Sequence, residues 1–211
     1  MEYHEHIPGW FDYQNLFDEQ VARAGPGAIV VEIGAYLGRS TAYLASRILR
    51  SGKPIRVYVV DLWDGWFHHD DQQSLPMNEG TDVFWHFMRN MRAAGLDAVL
   101  CPLKLDSVKA ASLFDDGSVD FVFVDGDHGY EPLKRDLAAW FPKVRPGGTL
   151  AGHDYVNADF PGVRRAADEF FGHLQLPLEE NGTSFVVRKP RPHWLRKAAR
   201  AYRRLLPAGL R

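Results

Sequence analysis

The chain has 211 residues, 45% apolar and 25% charged, a composition that suits an ordinary globular protein and excludes a disordered or fibrous one. Its net charge of −2 hides an imbalance: residues 188–211 hold nine Lys or Arg and no acid, leaving 16 basic against 27 acidic residues in 1–187. So acidic a body excludes a general nucleic-acid binder.

The opening MEYHEHIPGW is acidic and polar, without the pattern of a signal peptide. No apolar run approaches the ~18 residues of a membrane-spanning helix. The single cysteine, Cys101, excludes an internal disulfide and suits a reducing compartment, so a cytoplasmic location is expected. Residues 1–27 are expected to form an N-terminal helical segment, in which HEH at 4–6 resembles a metal pair only superficially and should be disordered.

The main domain is expected over 28–190. Strand-length apolar runs recur at 28–33 (AIVVEI), 56–60 (RVYVV), 98–103 (AVLCPL), 119–124 (VDFVFV) and 148–152 (GTLAG). They are continuous rather than alternating, as in strands buried on both faces of a parallel sheet. Helical periodicity fills the gaps at 40–49, 82–94 and 131–141, the last placing Leu133, Leu137 and Trp140 or Phe141 on one face. This alternation predicts an α/β, Rossmann-like, doubly wound sheet. RPGG at 145–148 reads as a breaker ahead of the fifth strand. LPLEE and TSFVVRK around NGT read as a C-terminal antiparallel hairpin. Residues 62–81, rich in aromatics, His and Asp, fit neither pattern and read as a lid or as a surface insertion. Trp63, Trp66, His68 and His69 there could line an acceptor pocket.

Ligands of open α/β sheets bind outside the carboxyl ends of the strands. Polar residues stand there after every strand: Glu32 and Gly34, Asp61, Asp106 and Ser107, Asp125, then His153 and Asp154. GAYLGRS is one residue short of a P-loop and has Arg for its Lys; Tyr36 also breaks the dinucleotide fingerprint G-x-G-x-x-G. The acid two residues before the first glycine favours a cationic ligand over a pyrophosphate.

VEIGAYLGRS, VVDLWDG, FVFVDGDHGYEPLKRDLAAWFPKVRPGGTLAGHDY and PGVRRAADEFF together resemble the class I S-adenosylmethionine-dependent methyltransferases. More narrowly they are similar to the branch with metal-dependent small-molecule and sugar O-methyltransferases. The resemblance implies that Glu32 and the turn Gly34, Ala35, Tyr36, Gly38 and Ser40 hold the methionine end of the cofactor. It implies further that Asp61 with Leu62 takes the ribose, that Asp106 and Ser107 flank the adenine, and that Asp125 borders the cofactor.

Methyl transfer from a sulfonium chiefly needs in-line placement and exclusion of water. A hydroxyl acceptor additionally needs a metal or a base. Asp125, His153 and Asp154 could converge on Mg²⁺ or Mn²⁺, the His-Asp pair replacing the acidic pair of similar enzymes and tilting the site toward Mn²⁺. Alternatively His153 is itself a base and no metal binds. The resemblance points to His128 as general base, with Asp127 as the other candidate.

The expected activity is therefore O-methylation of a sugar, glycan or related small molecule. Rivals are a nicotinamide-dependent oxidoreductase, disfavoured by the broken fingerprint, and a catalytically silent membrane-associated protein on the same fold. A DNA amino-methyltransferase is disfavoured because DGDHGY stands where Asn/Asp-Pro-Pro-Tyr would be. In the tail, 191–211, Trp194, Leu195, Ala198, Ala199, Tyr202, Leu205 and Leu206 follow a helical period with Lys and Arg between them. Such a basic amphipathic helix lies on an anionic membrane surface, or docks on its own acidic body or a second copy.

Overall fold

The computed structural model describes residues 3–64 and 82–191. Seven strands, β1 (Ile29–Ile33), β2 (Arg56–Asp61), β3 (Leu100–Lys104), β4 (Val119–Val124), β5 (Val144–Gly152), β6 (Glu179–Asn181) and β7 (Ser184–Arg188), form one sheet. Their order is β3-β2-β1-β4-β5-β7-β6; the first five are parallel, and β7 runs antiparallel to both neighbours. The expected α/β, Rossmann-like sheet with a C-terminal hairpin is the one found.

Among the described residues six α-helices cover the sheet: α1 (Gln14–Arg23), α2 (Arg39–Ser51), α3 (Val83–Ala93), α4 (Ser107–Ala111), α5 (Tyr130–Trp140) and α6 (Pro161–His173). Successive strand residues point to opposite faces, and the core divides accordingly. Val30, Val57, Val59, Phe121 and Phe123 pack against Phe17 of α1, Leu44 of α2 and Phe87 of α3. Val31, Val60, Val122 and Val124 pack against Ala110 of α4, Leu137 and Trp140 of α5 and Phe171 of α6. Both faces are apolar, so the inner strands are mostly Val, Ile and Phe, with Glu32 of β1 a buried acid among them.

Three expectations are corrected. RPGG does not precede β5 but lies inside it, because the irregular stretch still pairs: the β4–β5 register shifts between Val119 and Phe121, and Gly147 takes φ +82°. The terminal HEH is not disordered; His4 is buried in a 3-10 turn, its ring edge-on to Phe11 and Tyr43. Trp63 does not line a pocket; it is 3% exposed, packed on Phe84 and Phe87, with its indole N–H donated to the Tyr36 carbonyl at 2.9 Å. Trp66, His68, His69 and most of the 62–81 insertion lie outside the described residues, as does nearly all of the basic tail. No helix among the described residues is long and apolar enough to cross a membrane.

Candidate active site and cation centre

Strand order reverses between β1 and β4, and the predicted residues gather at the carboxyl ends there. The turn after β1 is backbone-driven. Gly34 takes φ +83°, and a Cβ on it would lie 2.0 Å from the Asp125 carbonyl oxygen. Tyr36 follows at φ +49°, and Gly38 caps α2 at φ +90°, where a Cβ would meet Met91 and Phe87. Asp61 ties this turn down: its Oδ2 accepts the amides of Ala35 (2.7 Å) and Tyr36 (2.9 Å), and its Oδ1 accepts that of Trp63 (2.8 Å).

Glu32 is wholly buried beneath the turn, with its oxygens accepting the hydroxyls of Ser40 (2.5 Å) and Thr41 (2.6 Å) in the first turn of α2. Burial raises its pKa and the two hydroxyls pull it partly back, leaving it at about 7. Leu62 is exposed beside Asp61. Asp106 caps α4 by accepting the Lys109 amide, and the Ser107 hydroxyl accepts the Trp140 indole N–H.

The polar cluster lies at the ends of β4 and β5. Asp125, His128 and Asp154 each bring one donor atom within 4.8 Å of the others. His128 Nε2 is 3.0 Å from Asp154 Oδ2 and 3.6 Å from Asp125 Oδ1. His153 Nδ1 is 3.1 Å from the same Asp154 oxygen and 3.4 Å from the same Asp125 oxygen. Asp154 sits at φ +57°, its Oδ1 held by the Asn157 amide group at 2.7 Å. Asp127 stands apart, exposed, its carboxylate accepting the Gly129 amide.

Asp125, Asp154 and His128, rather than the expected His153, form a mixed oxygen and nitrogen donor set with His153 beside it, the kind that suits Mn²⁺ or another transition metal better than all-oxygen ligation would. His128 Nε2 is buried and makes no hydrogen bond of good geometry, its nearest acceptor being Asp154 Oδ2 at 3.0 Å. The residues present therefore fit a divalent cation.

Without a cation the same groups neutralise one another. Burial lowers the imidazole of His128, but its contacts with Asp125 and Asp154 outweigh this and lift it to about 9; His153 rises to about 11 by the same balance. Burial raises Asp125, but His128 and His153 bring it down to about 2, and Asp154 falls well below the carboxylate range for the same reason. A histidine raised on folding stabilises the fold fully below its unfolded value of 6.5, and this is lost as pH climbs through the folded value. Glu32, also raised, destabilises in the same direction between 4.5 and about 7. The cation-free melting temperature should thus fall from about pH 6.5 to 9, and Asp154→Asn should flatten the fall. A wild-type melting temperature constant over that range, read by calorimetry, would contradict this.

A family model described as "Methyltransferase domain" matches residues 31–155, more than half of the chain. The chain belongs to this methyltransferase family. Its fold is that of the class I S-adenosylmethionine-dependent enzymes. A protein of Corynebacterium glutamicum has the same fold at 18% identity and TM-score 0.60, over 89% of this chain and 84% of that one. The calicheamicin methyltransferase CalS11 is similar at 18% identity and TM-score 0.59 (83% and 76% covered), as is the O-methyltransferase NovP at 19% and 0.59 (84% and 79%). The uncharacterized protein y4gI of Sinorhizobium fredii is 26% identical over 128 residues, 59% of this chain but only 13% of its own length.

Two residues that touch the cluster come from a segment that carried no motif to announce them. The Tyr13 hydroxyl donates to Asp125 Oδ2 at 2.8 Å, and Asp12 Oδ1 lies 3.0 Å from His153 Nε2. No motif marks them, because their partners are 112 and 141 residues away.

Proposed function

We propose that this methyltransferase transfers the methyl group of S-adenosylmethionine to a hydroxyl of a sugar, glycan or related small molecule, assisted by a divalent cation. One observation carries the proposal: the Asp125 carbonyl oxygen occupies the space that a side chain at Gly34 would need, so the glycine turn and the carboxylate–imidazole cluster abut. A methyl donor on the turn and a hydroxyl on the cluster would be neighbours.

In this reading the Gly34–Gly38 turn and Ser40 receive the methionine end, with Glu32 beneath them supplying negative potential. Asp61 keeps a free lone pair on Oδ1 for a ribose hydroxyl, since that oxygen accepts one amide. Leu62 offers apolar surface, and Asp106 and Ser107 stand at the adenine end. Asp125, His153 and Asp154, with His128, would hold the cation, whose contribution is to acidify and orient the bound hydroxyl. If it is not itself a ligand, His128 would be placed to take that proton once the cation's charge offsets the pull of Asp125 and Asp154 that otherwise keeps the ring protonated. Support for a hydroxyl acceptor comes from CalS11, described as a TDP-rhamnose 3′-O-methyltransferase, and from NovP, each sharing the fold.

Calorimetric titration with S-adenosylhomocysteine, with and without Mn²⁺, tests the reading. Micromolar cofactor binding is expected in the wild type and at least tenfold weaker binding in Asp61→Ala. A wild type that binds no cofactor would end the methyltransferase proposal; binding without any Mn²⁺ response would remove the cation from it and leave only the histidines, His128 or His153, as candidate bases, active once deprotonated at high pH. In the same reading the basic tail meets an anionic membrane surface. Co-sedimentation with phosphatidylserine vesicles tests that, against the alternative outcome of a contact with a second copy.

A further inference from the structure

We infer that Asp12 and Tyr13, just ahead of α1, are positioning residues that aim two side chains of the cluster at the cation; this rests on the cation reading above. Asp12 is half-exposed at the rim, yet its Oδ1 is pinned from two sides. It lies 3.0 Å from His153 Nε2 and accepts the Thr183 hydroxyl at 2.8 Å. Thr183, in the β6–β7 turn, is fixed in its turn by the Tyr155 amide, which donates to its carbonyl at 2.8 Å.

A carboxylate only accepts, so in the neutral ring the contact with Asp12 puts the proton on Nε2. The Nδ1 lone pair then faces Asp125 Oδ1 and Asp154 Oδ2, at 3.4 and 3.1 Å. Without a cation the ring carries a proton on that nitrogen too and donates it to those oxygens; with the proton gone, the lone pair is repelled by both unless other positive charge lies among them. A divalent cation supplies that charge. Imidazole ligands of metals are oriented in this way, by a carboxylate that holds the ring's other N–H.

Tyr13 does the corresponding work for Asp125. Its hydroxyl takes Oδ2 at 2.8 Å, which leaves Oδ1 as the oxygen nearest both histidines. The phenol cannot drift, since its ring is 4% exposed and packed at 4.4 Å on Phe123 and 4.8 Å on His153. One dipeptide thus fixes the approach of an oxygen and a nitrogen ligand from outside the metal's own shell.

The test is Mn²⁺ affinity of the full chain, measured by electron paramagnetic resonance, with thermal melts as a control for folding. Asp12→Ala should weaken Mn²⁺ binding by about 10- to 100-fold. Asp12→Asn, whose amide oxygen still accepts from Nε2–H, should recover most of the loss, and Tyr13→Phe should also weaken binding. Wild-type affinity in Asp12→Ala would overturn the positioning role while leaving the cation reading standing. A wild type that binds no Mn²⁺ would overturn both. Nitrogen-15 spectra of the Mg²⁺-loaded wild type give a second readout independent of any variant: a His153 ring protonated on Nε2 is expected, and one protonated on Nδ1 would overturn the inference.

Discussion

Gly34→Ala is expected to cost about 4–5 kcal/mol or more, enough to take most of the stability of a typical domain. Two costs combine. The backbone sits at φ +83°, which by itself penalises an L side chain by about 1–2 kcal/mol. The added methyl would also lie 2.0 Å from the Asp125 carbonyl oxygen and 2.8 Å from the Gly126 Cα. Both obstacles are backbone at the end of β4, an inner strand that cannot retreat without breaking its pairing with β1 or β5. Gly52→Ala is the natural control. That glycine ends α2 at φ +66° with nothing within 4 Å of the added atom, so only the conformational cost of about 1 kcal/mol should appear. Urea denaturation of the two variants separates the terms. Equal losses would mean that β4 does not press on the turn.

Asp125→Ala should have the largest effect on function. The carboxylate is ionised at any working pH, having been drawn down to about 2, and it faces two imidazoles and the Tyr13 hydroxyl. Its removal leaves the two imidazoles with only Asp154 and Asp12 as counter-charges, and should lower the cation-free stability by about 3 kcal/mol, less than a fully buried pair would lose because His128 is partly open to solvent. Mn²⁺ binding should disappear. Methyl transfer to any hydroxyl acceptor that the wild type uses should fall by about 10²- to 10⁴-fold. Asp125→Asn sharpens the comparison, because it can still accept the Tyr13 hydroxyl but brings no charge; it should keep more stability than the alanine variant and no more cation binding. An asparagine variant with undiminished Mn²⁺ affinity would remove Asp125 from the cation site.

Much of the fold could be read from the chain because an inner parallel strand must be apolar on both sides, and Val30–Val31, Val59–Val60 and Phe121–Val124 leave few other roles for themselves. The early start of β5 could not, since Arg145-Pro146-Gly147-Gly148 carries every local mark of a break; only its pairing across to β4 keeps it in the sheet. Site acids were legible because the topology alone puts residues 32, 61, 125 and 154 at one end of the sheet. Their partners divide by distance along the chain. Ser40 and Thr41 reach Glu32 from the next turn of structure, so a helix beginning at Arg39 could have suggested them. Trp63 misled for a physical reason: an aromatic in a polar loop looks like pocket lining until α3 arrives beneath it with Phe84 and Phe87.

The hydrogen bonds from Tyr13 to Asp125 and from His153 to Asp12 also set an order of events during synthesis. They close loops of 112 and 141 residues, and contacts so distant in sequence form late because the chain must first be gathered between them. On the ribosome, Asp12 and Tyr13 emerge early and wait without partners while β1 to β5 are made. Thr183, the second anchor of Asp12, follows later still. A chain cut to the matched stretch, residues 31–155, would keep both histidines and both carboxylates of the cluster but neither Asp12, Tyr13 nor Thr183. If the cluster does hold a cation, a metal titration of such a fragment would understate the affinity of the whole chain.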